Sequence, residues 1–157
     1  MSGKNMSEEN QEFAIQKLYL KDVSFESPNS PQAFTDGEWQ PQVNVQLNTS
    51  NRVITEGVYE VVLELTVTAK QNDSTAFLVE LKQAGVFTLA GFAEESLGGM
   101  LNAYCPETLF PFAREAIAEL IAKGGFPQLL LQPVNFNALY AQKMEQQEAQ
   151  SDQGAAH

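Results

Sequence analysis

The sequence predicts an α+β fold, a four-stranded antiparallel sheet followed by helices, and three observations predict it. Val58 to Ala69 is the clearest strand in the chain: Tyr59, Val61, Leu63, Leu65, Val67 and Ala69 share one parity, and Glu60, Glu64, Thr66 and Thr68 mark the other. Successive strand residues point to opposite faces, so this run reads as a strand with one buried side. A polar turn, Gln71-Asn72-Asp73-Ser74, joins it to a second alternating run, Ala76 to Leu89, which makes a hairpin. From Glu107 the apolar period changes to helical spacing.

The remaining elements follow in order. Phe13 to Glu26 reads as the first strand, with Asp22, Ser24 and Glu26 on one face by alternation. Leu18 and Leu20 share that parity, so either the face is not purely polar or a bulge resets the register. Ser27 to Pro41 holds three prolines, Gly37, Phe34 and Trp39, and reads as a long loop. Loops of this length are usually functional or disordered, and two aromatics argue against disorder. Val43, Val45 and Leu47 alternate with Asn44, Gln46 and Asn48, a short strand with one apolar face. In the Ala76–Leu89 run, Phe77, Val79, Leu81, Phe87 and Leu89 share a face, and Leu78, Glu80 and Lys82 point away from it.

Glu107 to Lys123 is predicted as an amphipathic helix on Leu109, Phe112 or Ala113, Ala116 or Ile117, and Leu120 or Ile121. Pro106 suits its first turn, Pro111 either kinks it or marks its start, and Gly124 stops it. A second helix is expected from near Asn135, with Phe136, Leu139, Tyr140 and Met144 as its stripe. The stretch Tyr104 to Tyr140 combines large apolar side chains with Pro106, Pro111, Pro127, Pro133 and the pair Gly124-Gly125. Apolar surface on such bent, loop-flanked segments is how a groove or an oligomer interface is often built. Residues 1–12 and 146–157 are polar and expected to be disordered tails, leaving one ordered domain over 13–145.

Composition narrows the function. With 157 residues and 43% apolar content the chain has enough material for a real core. No run approaches the roughly 18 apolar residues of a membrane span, and the opening MSGKNMSEENQEF has no apolar core of a secretory signal. The net charge is −11, from 20 acids against 9 bases, the sign opposite to that of a nucleic-acid binder. A cytoplasmic protein is expected, with no nucleic acid and no membrane insertion.

An active site is not evident. The only histidine, His157, lies in the polar tail, which removes most triads and histidine-based metal sites. Cys105 is the only cysteine, has no ordered histidine to activate it, and reads as a small buried thiol. The pairs Gly98-Gly99 and Gly124-Gly125 lack the spacing of a phosphate loop. Glu94-Glu95 reads as solvated rather than as a metal or acid–base pair. No catalysis, cofactor or metal is expected.

Several segments, in order, resemble one family: IQKLYLKDVSFESPNSP, EWQPQV, VYEVVLELTVTA, TAFLVELKQAGVF, AYCPETLFPFARE and FPQLLLQPVNFNALY. The family is SecB, the bacterial protein-export chaperone. The loop at Thr35-Asp36-Gly37 is slightly enlarged relative to it, and GFAEESLGGM (91–100) diverges. The resemblance implies a long helix and a C-terminal helix packed on one side of the four-stranded sheet. It implies a homotetramer, a dimer of dimers, that holds unfolded preproteins without ATP or cofactor. It also implies delivery to the translocation ATPase SecA, whose basic C-terminal segment contains zinc. The docking positions it carries over for SecA are Asp22, Glu26, Leu78 and Glu80. For the client-binding groove, Phe34, Trp39, Val43, Val45, Leu47, Phe136, Leu139 and Tyr140 are the expected walls, because an unfolded client demands accessible apolar surface.

Two other readings remain open at this stage. A small-molecule or enzymatic domain with an acyl-chain groove would show one defined ligand and a placed acid or base. A purely structural oligomer subunit would bury the apolar segments completely.

Overall fold

The computed structural model describes residues 10–155, with side chains described through residue 151. Four strands run β1 (Glu12–Glu26), β2 (Gln42–Thr55), β3 (Val58–Gln71) and β4 (Ser74–Ala90). They form one antiparallel sheet in the order β1-β4-β3-β2. The helices follow: α1 (Glu94–Gly99), which continues through a wider π turn at Met100–Tyr104 into α2 (Cys105–Lys123), and then α3 (Phe136–Ala155).

The alternation of β3 and β4 decides which side α2 covers. Val61, Leu63, Leu65, Val67, Phe77, Val79, Leu81 and Phe87 are buried on one face. Onto them α2 presents Leu109, Ala113, Ile117 and Ile121, which are equally buried. These four lie four residues apart, so helical spacing selects Ala113, Ile117 and Ile121 from the alternatives the sequence leaves open, and Phe112 is exposed. Pro111 lies within the helix, and Pro106 occupies its first turn. Cys105 is fully buried, and burial pushes its thiol up to about 12.

Three elements extend beyond their sequence expectations. The strand read over Val43–Asn48 continues to Thr55, because its second half pairs with β3 through Arg52↔Glu60 and Val53↔Tyr59. The β2 side chains from Ser50 to Thr55 are exposed, so no apolar alternation announces them. The divergent segment 91–100 supplies α1. The expected disordered C-terminal tail, 146–157, falls largely within α3, which runs to Ala155; the expected N-terminal tail, 1–12, lies mostly outside the described residues. Asn135 starts α3, its side-chain oxygen accepting from the Ala138 N–H at 3.0 Å.

The open question in β1 resolves as two bulges. The register shifts between Ile15 and Lys17 and again between Leu20 and Asp22. Leu18 and Leu20 therefore pair with Gly85 and Gln83 on the helix side, whereas Asp22 pairs with Lys82 on the other.

On that outer face the sheet holds a charge cluster that alternation alone does not reveal. Glu60 of β3 has a side chain only 5% exposed. Lys21 Nζ donates to both its oxygens at 2.9 Å, Arg52 Nε donates to Oε1 at 2.9 Å, and the Tyr19 hydroxyl donates to Oε2. Lys21 and Tyr19 reach it from β1 across β4, where Tyr19 faces the small Ala84. One carboxylate thus joins three strands and both sheet edges. The Tyr19 hydrogen bond first, against burial, and then those from Lys21 and Arg52 hold the Glu60 carboxyl at about 2. Burial and the same carboxylate push the Tyr19 phenol up to about 12.

A depressed carboxyl stabilises the fold above its unfolded value near 4.5 and loses that contribution as pH falls toward 2. Glu60→Gln should therefore lower unfolding free energy at pH 7 by about 1–3 kcal/mol. The gap between variant and wild type should close in urea titrations as pH drops from 4.5 to 2. A gap that is constant with pH would mean the carboxylate's charge is not what the cluster uses.

Candidate functional site

Two surfaces stand out, one apolar and one charged, on opposite faces of the sheet. The apolar one starts at the end of α2. Gly124 and Gly125 stop the helix, with the Gly124 N–H on Leu120 O at 2.9 Å and the Phe126 N–H on Ile121 O at 3.2 Å. A Cβ on Gly124 would sit 2.2 Å from the Phe25 ring, and Gly125 adopts φ +88° with the Phe34 ring close by. The glycine pair is needed because two aromatic rings press on this turn. Phe126 follows and packs at a tilt against Phe34 at 4.9 Å, Trp39 at 5.5 Å and Phe77 at 5.1 Å between ring centres.

The chain then runs without regular structure to Asn135, and opposite β2 it opens a groove of about 320 Å³. Val43, Val45 and Leu47 form one wall, Leu129 to Val134 the other, and Leu65 and Phe110 lie at the base. Val45 is 45% exposed although it points to the helix side of the sheet, because α2 covers β3 and β4 but not this edge. Leu130 is also exposed, whereas Leu131 is buried and anchors the segment. Beyond Leu47 lies a second, more polar hollow of about 300 Å³, lined by Asn48, Asn102, Phe136, Leu139, Tyr140 and Lys143 among others. The Tyr140 hydroxyl lies where a Cβ on Gly98 would be only 2.6 Å away, so α3 docks closely on α1.

The eight residues expected as groove walls therefore fall into three adjoining groups. Phe34 and Trp39 belong to the aromatic cluster at one end. Val43, Val45 and Leu47 line the central groove, with Leu47 shared by both hollows. Leu139 and Tyr140 flank the second hollow, and Phe136, at 3% exposure and 5.9 Å from the Phe110 ring, is core that shows only its edge. The opposing wall, Leu129, Leu130, Leu131 and Val134, is absent from the expected set. Its signal was the run QLLLQ between Pro127 and Pro133, followed by Val134, too apolar for a solvated loop and too broken for a helix.

The charged surface lies on the outer face. Cross-strand pairing sets Asp22 opposite Lys82, Ser24 opposite Glu80, and Glu26 opposite Leu78. Asp22, Glu26, Leu78 and Glu80 thus share one face of two neighbouring strands, with the three carboxylate residues exposed and Leu78 half-buried. Lys82 is the residue sequence reasoning left out of this patch: it lies between Asp22 on β1 and Glu64 on β3.

Among the described residues no cluster of histidine, cysteine, aspartate or glutamate is suited to holding a metal. No described helix is long and apolar enough to cross a membrane.

Comparison with known proteins matches residues 6–147 to the family described as preprotein translocase subunit SecB. A protein-export protein SecB from Nitrosococcus oceani is 61% identical over 139 residues, 88% of this chain and 85% of the relative. Its counterpart from Methylococcus capsulatus is 51% identical over 156 residues, 97% of this chain and 100% of the relative. Among solved structures, a SecB-like chaperone of Mycobacterium tuberculosis, in complex with a ChAD peptide from the HigA1 antitoxin, superposes with a TM-score of 0.64. At 13% identity over 78% of this chain and 90% of that one, this likeness is one of fold.

Proposed function

The chain belongs to the SecB family, and from that premise we propose how its two surfaces divide the work of an ATP-independent export chaperone. The apolar groove holds newly made, unfolded preproteins in the cytoplasm, and the acidic patch hands them to SecA. The family is one of chaperones, and the chain is accordingly not an enzyme.

The observation that carries the client reading is the groove between Val43/Val45/Leu47 and Leu129–Val134. Unfolded chains have two features that folded ones hide, apolar side chains and unpaired backbone groups. The groove offers accessible apolar walls for the first. For the second, β2 is an edge strand of the sheet, with one side of its backbone free of strand partners among the described residues. Neither contact asks for a particular client sequence. An acyl-ligand site would instead need a placed acid or base, and the central groove is lined almost wholly by apolar groups.

The reading of Asp22, Glu26, Leu78 and Glu80 as the SecA surface rests on their shared face and on the family resemblance. A basic, zinc-containing segment of SecA would meet three carboxylates around one apolar side chain. Charge complementarity of this kind speeds association and makes it salt-sensitive. A homotetramer built as a dimer of dimers would cover the β1 edge of the sheet and the exposed Phe112 of α2, leaving the β2 edge open.

Three measurements test these assignments. Replacing Val43, Val45 and Leu47 together with serine should weaken capture of unfolded chains at least tenfold while the assembly persists. Burial of each such side chain is worth roughly 1.5–3 kcal/mol. A variant that falls apart, yet binds normally in its residual assembled form, would make these residues core. Glu80→Lys should abolish SecA binding and leave client capture intact; equal loss of both, or of neither, rejects the division of labour. Sedimentation at micromolar concentration should give four times the 17.3 kDa protomer mass, and a monomer alone would contradict the assembly.

A further inference from the structure

The loop that carries Trp39 has its own fastening, and it comes from a residue outside every surface described so far. Gln71 is the last residue of β3 and is 7% exposed. Its Oε1 accepts the Gln40 N–H at 2.8 Å, and its Nε2 donates to Asp36 O at 3.2 Å. Only one orientation of the amide satisfies a donor on one side and an acceptor on the other, so the two contacts fix it. The neighbouring Asn72 Nδ2 adds a second donor to Asp36 O at 3.4 Å. Asn72 and Asp73 form the β3–β4 turn with φ of 53° and 63°, a tight turn that holds Gln71 in place. The side chain thus spans Asp36 to Gln40 like a clasp, and Trp39 lies inside the span.

What the clasp holds is an open loop. Gly37 adopts φ +81° with nothing near its Cβ direction, so no packing restrains that point. Trp39 itself packs on Phe77 and Phe126, with ring centres 6.5 and 5.5 Å apart. Stacking sets where the ring prefers to lie, but the Gln71 amide is the group that ties the backbone on both sides of it, with Asn72 adding to the Asp36 end.

We propose that Gln71 is a positioning residue for client recognition: by clasping Asp36 and Gln40 it presets the aromatic wall at Trp39 against which apolar segments of unfolded polypeptide bind. This rests on the client reading of the groove. A preset wall loses less conformational freedom on binding than one that must be ordered first. Removing the clasp should therefore weaken holding without removing any group that touches the client.

Trp39 is the chain's only tryptophan, so its emission reports on the loop without a label. Gln71→Met keeps the size of the side chain and deletes both hydrogen bonds. It should shift Trp39 emission to the red and weaken binding of a reduced, carboxymethylated, permanently unfolded chain by about 3- to 10-fold, the scale of one or two lost hydrogen bonds. Unchanged emission overturns the clasp, and shifted emission with unchanged binding overturns its role in recognition. Wild type that binds no unfolded chain fails the client reading itself, and the recognition role falls with it. Should the variant not fold, hydrogen exchange on the wild-type protein decides: the Gln40 amide should be protected, and exchange at the rate of a free loop amide overturns the proposal.

Discussion

Burial of the alternating side chains of β3 and β4 beneath α2 is the constraint on which the other features depend. These central strands have partners on both sides and one face that is apolar but for Gln83, and at roughly 1.5–3 kcal/mol per large side chain their contribution far exceeds any single polar contact in the fold. Because α2 lies over β4 and β3, β2 is left uncovered on the same face. The groove is a consequence of a helix that covers the centre of a sheet and stops short of its edge. The glycine pair at 124–125 ends α2 there, and the chain that follows becomes the far wall.

The outer face obeys a different logic. With no covering layer among the described residues it can carry charge, and it does so in two ways. Glu60 is withdrawn from solvent and tied by Tyr19, Lys21 and Arg52, so its charge is spent within the sheet. Asp22, Glu26 and Glu80 stay exposed, with Lys82 beside them. Both arrangements need the bulge between Leu20 and Asp22, which turns Leu20 toward the helices and Asp22 away from them although the two share parity. One inserted residue thereby places Lys21 against Glu60 and Asp22 in the acidic patch.

Much of this was legible in the sequence where local pattern and final environment coincide. Strands β3 and β4 alternate because each has one buried and one open face, and the α2 stripe reads correctly to within the choice between adjacent residues. The second half of β2 was not legible, since its side chains are exposed and only backbone pairing makes it a strand. The same limit hid α1, whose side chains are at most half-buried. For the site, Val43, Val45 and Leu47 could be named from alternation, but Leu129–Val134 follows no period, and only its position across from β2 gives it a role. Phe136 illustrates the converse: an apolar residue at the head of a stripe that the fold uses as core. Glu60 and Gln71 are polar residues whose buried surroundings arise from elements distant in sequence, and nothing near them announces this.

Cys105 has a practical consequence. A thiol with no exposed surface, and with its ionisation pushed to about 12, presents almost no thiolate to an alkylating reagent while the chain is folded. Since it is the first residue of α2 and is buried in the core, reaction must wait for that layer to open. The rate of modification is then a stopwatch for core opening, built into the natural sequence. Because it is the only cysteine, a second one placed on any exposed position can be modified with the first left untouched.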